Sequence, residues 1–192
     1  MKRALVVLLL AACTPATQAP PPPPASAAAG EPRQTVLHRT ESRLSILLDQ
    51  SLIKERRQVE LPDRYREYVA IEGGFVRYDR LKQGTWAAGE SNRAALKRIV
   101  DTDEVREAAG AVYREAEVKD VERALGRLSY ILVTTPRARC FLFATQGPSH
   151  ELAGARCRPA DDPGRFNLEF EMLSFLGRLR LDEGAAERRA PG

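Results

Sequence analysis

Histidine is nearly absent from this chain of 192 residues, and the two that occur, His38 and His150, lie far apart in the sequence. A structural zinc site takes four ligands, mostly Cys and His at short spacings. Cysteine is scarce as well, with only Cys13, Cys140 and Cys157, and none of them forms the Cys-x-x-Cys pair of catalytic dithiols. The sequence therefore indicates neither a metal site nor a redox-active dithiol.

The common catalytic and phosphate-binding motifs are also missing. The chain has no Gly-x-Ser-x-Gly elbow, and Gly73-Gly74 lacks the Lys and Ser/Thr of a phosphate-binding loop. The carboxylates at Asp161-Asp162 and near Asp101 do not alternate as calcium ligands do. Ser149-His150 is the only Ser/His adjacency, and its surroundings are typical of a loop between strands. We therefore predict no catalytic residue, no cofactor and no metal ligand.

Charge of one sign is not concentrated anywhere in the chain. The formal charge is +4, and acidic residues interleave with the arginines. Nucleic-acid-binding proteins usually carry a basic stripe with stacking aromatic residues. The sequence therefore indicates no nucleic-acid partner.

No apolar run approaches the roughly 20 residues that a membrane-spanning helix needs. The most apolar stretch, Ala4–Leu10, follows the basic residues Lys2 and Arg3 and leads into the small residues Ala11 and Ala12. A positive start, a short apolar segment and small residues are typical of a cleaved signal peptide.

The segment Leu10-Ala11-Ala12-Cys13 resembles the lipobox of bacterial lipoproteins at all four positions. The resemblance implies that residues 1–12 are removed and that Cys13 carries a thioether lipid and an acylated amine, palmitate among the acyl chains. Thr14 follows Cys13 where retention at the inner membrane uses Asp. The resemblance thus implies the periplasmic face of the outer membrane of a Gram-negative cell, with the inner membrane as the less favoured site. Two finer lipoprotein signatures, for lipopolysaccharide assembly and for peptidoglycan binding, are missing.

A Pro- and Ala-rich segment, 13–35, separates this end from the rest of the chain and includes the five consecutive prolines Pro20–Pro24. Such a composition favours an extended spacer of about 3 Å per residue over a packed core. We predict a disordered linker at 13–35, one globular domain at 36–182 and a disordered tail at 183–192.

The two remaining cysteines suit a disulfide. With Cys13 lipidated, Cys140 and Cys157 are left in an exported chain, where paired cysteines oxidise. They are separated by the sixteen residues 141–156, and closing such a loop stabilises a fold by roughly 3 kcal/mol in the entropic account.

Hydrophobic periodicity predicts both helices and strands. The predicted helices are 43–57, with Leu44, Leu47, Leu48 and Leu52 at helical spacing; two or three short ones within 94–125; and one from Leu168 to Leu179. The predicted strands are 68–71 and 75–78 around Gly73-Gly74, 128–134, 139–145, a short third strand at 152–158, and 178–181 as an edge strand.

The hairpin 128–145 gives the strongest strand signal. Period 2 places Cys140, Leu142 and Ala144 on one face and Phe141 and Phe143 on the other, so the hairpin should be central. We predict an α+β fold in which helices pack on one face of a small antiparallel sheet with one disulfide.

These features suggest where the protein acts more than what it does. We expect a membrane-anchored periplasmic lipoprotein that serves as a non-catalytic accessory or scaffold subunit, with an envelope protein as partner. One alternative is an envelope hydrolase acting on peptidoglycan or lipid, because catalytic carboxylates such as Glu169 and Glu171 need no sequence motif. Another is a small-ligand carrier, which predicts a large apolar pocket between helices and sheet.

Overall fold

β-Strands dominate the structure, a computed structural model that describes residues 33–36, 42–86, 91–109, 114, 117–162 and 167–182. Strand accounts for 52% and helix for 20% of it. These ranges contain ten strands: β1 (Arg33–Val36), β2 (Leu44–Ile46), β3 (Ile53–Glu60), β4 (Arg64–Ile71), β5 (Gly74–Leu81), β6 (Lys119–Arg123), β7 (Gly126–Thr134), β8 (Ala138–Gln146), β9 (His150–Pro159) and β10 (Leu179–Leu181). They also contain three α-helices: α1 (Asn92–Val100), α2 (Asp103–Ala109) and α3 (Leu168–Leu176).

Eight of the strands form one antiparallel sheet in the order β1-β3-β4-β5-β9-β8-β7-β6. β3, β4 and β5 follow one another as a meander. The chain then passes through α1 and α2 before β6, at the far edge, and β6 to β9 run back until β9 pairs with β5. β2 and β10 form a separate two-stranded antiparallel sheet.

Both faces of the large sheet are covered. On one face, here the α1 side, α1 and α2 bury Leu96, Ile99 and Val105 against the sheet. On the other, the α3 side, α3 and the small sheet bury a second cluster that includes Met172 and Phe175. The sheet is thus the middle layer between two apolar cores.

The predicted fold class is wrong. The chain is mostly β, built on one large eight-stranded sheet, and its helices do not pack on one face of a small sheet. The strands outside the predicted set, among them β3 and β6, are rich in charged residues. Such edge and near-edge strands bury little apolar surface, so alternation of apolar residues does not reveal them.

The predicted helix at 43–57 is replaced by β2, a turn of 3-10 helix at Gln50–Leu52, and β3. Leu44, Ile46 and Leu48 are buried, whereas Leu47 is 50% exposed, which is a strand alternation. The same leucines also fit helical spacing, and burial against the sheet decides between the two periods. The helix prediction is also wrong at Val121, which lies in β6 although its apolar neighbours fit a helical spacing.

The predicted hairpins are confirmed. β4 and β5 pair around Glu72-Gly73, where Gly73 has φ of 75°, a conformation that glycine adopts without strain. β7 and β8 pair as expected, with Cys140 on the α1 side and Phe141 and Phe143 on the α3 side. A helix at α1, a helix at α3 and a strand at β10 are also found where the sequence predicts them.

The disulfide between Cys140 and Cys157 is confirmed. The two residues lie directly opposite in the β8–β9 ladder, with Cα atoms 4.0 Å apart. β9 is the predicted third strand, and its register brings the two sulfur atoms together. The bond therefore joins two strands at the centre of the sheet.

Candidate functional site

The predicted lipid attachment residue, Cys13, lies outside the described residues. The Ser149-His150 pair belongs to the turn between β8 and β9, where the Gly147 amide donates to the His150 carbonyl at 2.9 Å. The His150 ring packs against Tyr78, with centroids 6.1 Å apart. A Cβ at Gly147 would lie 2.3 Å from His150 Cε1, so the ring covers this glycine closely. The pair thus shapes a turn.

The acidic positions noted in the sequence make local contacts. Asp162 accepts a hydrogen bond from Arg158 at 3.1 Å, and Asp101 accepts one from Lys97 at 2.5 Å. Glu169 accepts a hydrogen bond from the Tyr130 hydroxyl. Within the described ranges, no group of three His, Cys, Asp or Glu residues is placed to hold a metal ion.

A ladder of buried charges crosses the α1 side of the sheet. Asp79 and Glu151 face each other on β5 and β9 and are 1% and 2% exposed. Arg66 holds Asp79 through two hydrogen bonds of 2.7 and 2.9 Å. Arg77 lies 3.4 Å from Asp79 and donates to Glu151 at 2.6 Å. Arg98 of α1 donates to the second oxygen of Glu151 at 2.5 Å, so the ladder ties α1 to the sheet.

A third buried carboxylate, Glu67, holds β2 on the α3 side. Glu67 accepts hydrogen bonds from the Ser42 hydroxyl at 2.8 Å and from the Leu44 amide at 3.2 Å. Arg56 donates to the Leu44 carbonyl at 3.0 Å. The buried carboxylates accept hydrogen bonds from arginines, a hydroxyl and backbone amides, an arrangement that suits a structural role.

A groove of about 280 Å³ opens on the α3 side, between α3 and the end of β9. We call it the α3 groove. Its walls combine arginines with aromatic and aliphatic side chains, and only one carboxylate lines it. The lining residues are Leu48, Arg156, Arg158, Phe170, Glu171, Ser174, Phe175 and Arg178.

Glu171 is shared by the two arginines of β9. Its Oε1 accepts from Arg158 Nε at 2.7 Å and from Arg156 Nη1 at 3.4 Å. Burial lowers the pKa of Arg156, an effect that Glu171 opposes. The Arg156 guanidinium also lies 5.9 Å from the Phe175 ring centroid. Inside the groove, the Arg156 guanidinium is therefore held between the Glu171 carboxylate and the Phe175 ring.

The outer surface beside the groove is set by the small sheet. Ile46 and Leu179 pair and point inward, both fully buried. Their neighbours Leu47 and Arg178 therefore point outward together, and the Leu47 amide donates to the Arg178 carbonyl at 2.9 Å. On α3 the outward position is Phe170, which is 63% exposed.

The arginines on this outer surface lack carboxylate partners in the described part of the chain. Arg180 donates to the carbonyls of Gly177 and Leu179, both at 2.8 Å. The side chains of Arg43 and Arg178 make no hydrogen bond or ion pair within those residues. We call the surface formed by Arg43, Leu47, Phe170, Arg178 and Arg180 the α3 face.

Sequence reasoning did not find this surface or the buried ladder. The sequence did indicate part of the ladder. Arg77 and Asp79 follow the apolar Phe75 at intervals of two residues, so in a strand their side chains lie on the same face as Phe75. No comparable signal marks Phe170, because an aromatic residue within an amphipathic stripe is more often buried. Its exposure follows from the way α3 packs, with Leu168, Met172 and Phe175 inward.

No protein-family model, curated protein or solved structure matches this chain. Among the described residues, no helix is both long and apolar enough to cross a membrane.

Proposed function

We propose that the protein is an envelope lipoprotein, anchored through lipid on Cys13 to the periplasmic face of the outer membrane. The domain acts there as a non-catalytic accessory or scaffold subunit. The lipobox residues Leu10–Cys13 support the anchor. The Cys140–Cys157 disulfide supports an oxidising compartment, where such bonds persist.

The observation that carries a binding role is the α3 face. Exposed Phe170 and Leu47 lie beside Arg178, a composition typical of binding surfaces, where aromatic residues and Arg are enriched. Tethering raises the concentration of such a surface near any partner in the same layer, so that weak contacts suffice.

The two alternatives gain no support from the described residues. A serine hydrolase would need Ser149 and His150 in a cleft with an orienting carboxylate, whereas the pair forms a turn. A carrier would need a large apolar cavity, commonly 300–1,000 Å³. The pocket between α2 and the sheet, beside Tyr68 and Val105, measures about 240 Å³.

Metabolic labelling tests the anchor. Radiolabelled palmitate should enter the wild-type chain and not Cys13→Ser, and membranes washed with carbonate and high salt should retain only the wild type. The washes matter because they remove chains held by surface contacts alone. A wild-type chain that stays in the cytosol, unlabelled and with reduced thiols, would contradict the proposal.

A role as a subunit is tested by purification of the acylated protein from membranes with mild detergent. We expect a defined envelope protein at constant stoichiometry with the wild type. A single species of the monomer's mass would argue against a scaffold role.

A further inference from the structure

We propose that the α3 face binds the surface of an anionic bilayer, so that the domain lies on the membrane that anchors it. This inference rests on the proposed function for the anchor, but the surface chemistry stands apart from it. It assigns a partner to the α3 face, namely the acidic phospholipid headgroups and the acyl boundary beneath them.

The apolar half of this surface is suited to the headgroup–acyl boundary. Of the four large hydrophobic residues that are exposed in the described part of the chain, Leu47 and Phe170 lie on or beside the α3 groove. The other two, Val36 and Tyr65, lie on β1 and β4 of the large sheet. Peripheral proteins use such aromatic and leucine side chains, which enter the membrane to a depth of about 5–10 Å.

The arginines of the α3 face supply positive charge where the lipid headgroups would lie. Arg178 lines the α3 groove together with Phe170 and lies beside Leu47, while Arg43 and Arg180 lie further along the same small sheet. These three arginines form no ion pair with a carboxylate in the described ranges. Guanidinium groups bind phosphate oxygens in a bidentate manner. A headgroup phosphate can therefore occupy the mouth of the α3 groove at Arg178 while Phe170 contacts acyl carbon.

Charge complementarity favours an acidic bilayer over a neutral one. Near an acidic bilayer surface, each Lys or Arg raises the affinity by about fivefold. Three arginines alone then give roughly a 100-fold preference for an acidic over a neutral bilayer. Contacts of this strength bind a free domain weakly but suffice for a tethered one, because the linker keeps the domain within about 70 Å of the membrane.

Vesicle binding tests the proposal without the lipid anchor. Residues 14–192, exported behind a cleavable signal peptide, keep every described residue and lack Cys13. Co-flotation is measured with vesicles of phosphatidylethanolamine and 30% phosphatidylglycerol, and with vesicles of phosphatidylcholine alone. We expect binding to the acidic vesicles that weakens as salt rises from 50 to 300 mM, and little binding to the neutral ones.

Two variants and two matched controls identify the surface. Arg178→Glu should lower partition by about 25-fold, two steps of about fivefold, and Phe170→Ser by about tenfold. Arg137→Glu makes the same charge change on the β7–β8 turn, and Val36→Ser removes an equally exposed apolar residue from β1; neither should change partition more than about twofold. Because all four positions are exposed, the unfolding midpoints should stay close to wild type.

The outcomes separate this proposal from the proposed function. If neither vesicle type binds, or if Arg137→Glu weakens binding as much as Arg178→Glu, the α3 face does not bind membranes, and palmitate labelling still decides the anchor. If the chain binds acidic vesicles but takes up no palmitate in cells, the docking surface holds and the anchor fails. If a soluble envelope protein protects Phe170 from labelling and acidic vesicles do not, the partner is that protein and the bilayer proposal is overturned.

Discussion

Replacing Asp79 with Asn removes a charge that two arginines share inside the sheet. Asp79 is 1% exposed and accepts hydrogen bonds of 2.7 and 2.9 Å from Arg66, with Arg77 at 3.4 Å. The amide keeps the shape but leaves Arg66 without an opposing charge, while Arg77 keeps its ion pair with Glu151 at 2.6 Å. Removing one partner of a buried ion pair costs about 3–5 kcal/mol, because the other charge stays desolvated.

The matched control is Asp63→Asn on the surface. Asp63 also binds an arginine, Arg64, at 2.6 Å, but its side chain is 56% exposed. Exposed ion pairs contribute about 0–1 kcal/mol. The same substitution in the two places therefore isolates the effect of burial.

Urea unfolding followed by far-UV circular dichroism measures the difference. We expect Asp79→Asn to lower the free energy of unfolding by about 3 kcal/mol or more, without a change in the dependence of that free energy on urea concentration. The melting temperature should fall by about 6–12 °C. Asp63→Asn should lose less than about 1 kcal/mol. Equal losses in the two variants would refute the reasoning that the buried ladder holds α1 and the strands in place.

Three further predictions follow from single contacts. Gly73→Ala should destabilise more than Gly84→Ala, since both glycines have φ near +75° but only a Cβ at Gly73 meets a backbone atom, Cys157 O at 2.3 Å; equal losses in urea unfolding would show that the close approach is relieved. Burial and the hydrogen bond to Glu169 raise the pKa of Tyr130 to about 12, so its contribution to stability is complete below pH 10 and is lost as the pH rises to 12. The difference in unfolding free energy between wild type and Tyr130→Phe should shrink over that range, and a constant difference would contradict the shift. Alkylation of the unfolded chain without reductant should leave Cys140 and Cys157 unmodified, and reduction should lower stability by about 3 kcal/mol; two reactive thiols before reduction would rule the bond out in the cell.

The two hairpins could be predicted from the sequence alone. β7 and β8 are rich in β-branched and aromatic residues, and both of their faces are apolar. The turn at Glu72-Gly73 carries its own signal, because glycine is needed where φ is positive. The pairing of Cys140 with Cys157 followed from the count of cysteines and from a third strand of the correct length.

The segment 44–53 shows where such reasoning fails. Leu44, Leu47 and Leu48 satisfy a helical spacing, while Leu44, Ile46 and Leu48 satisfy a strand. Only contact with β10 and with the core beneath α3 selects the strand. The charged strands β3 and β6 gave no apolar alternation to detect, so the size of the sheet was underestimated.

The amino-acid sequence by itself determined the central hairpins, the disulfide partners and the helices α1 and α3, because each depends on residues that are close together or few in number. The tertiary structure alone decided the eight-stranded sheet, the coverage of both its faces, the buried ladder of Asp79 and Glu151, and the exposure of Phe170 beside Arg178. Those features depend on which distant strands meet and which side of a helix turns inward, and the free energy of burial is settled only when the whole chain packs.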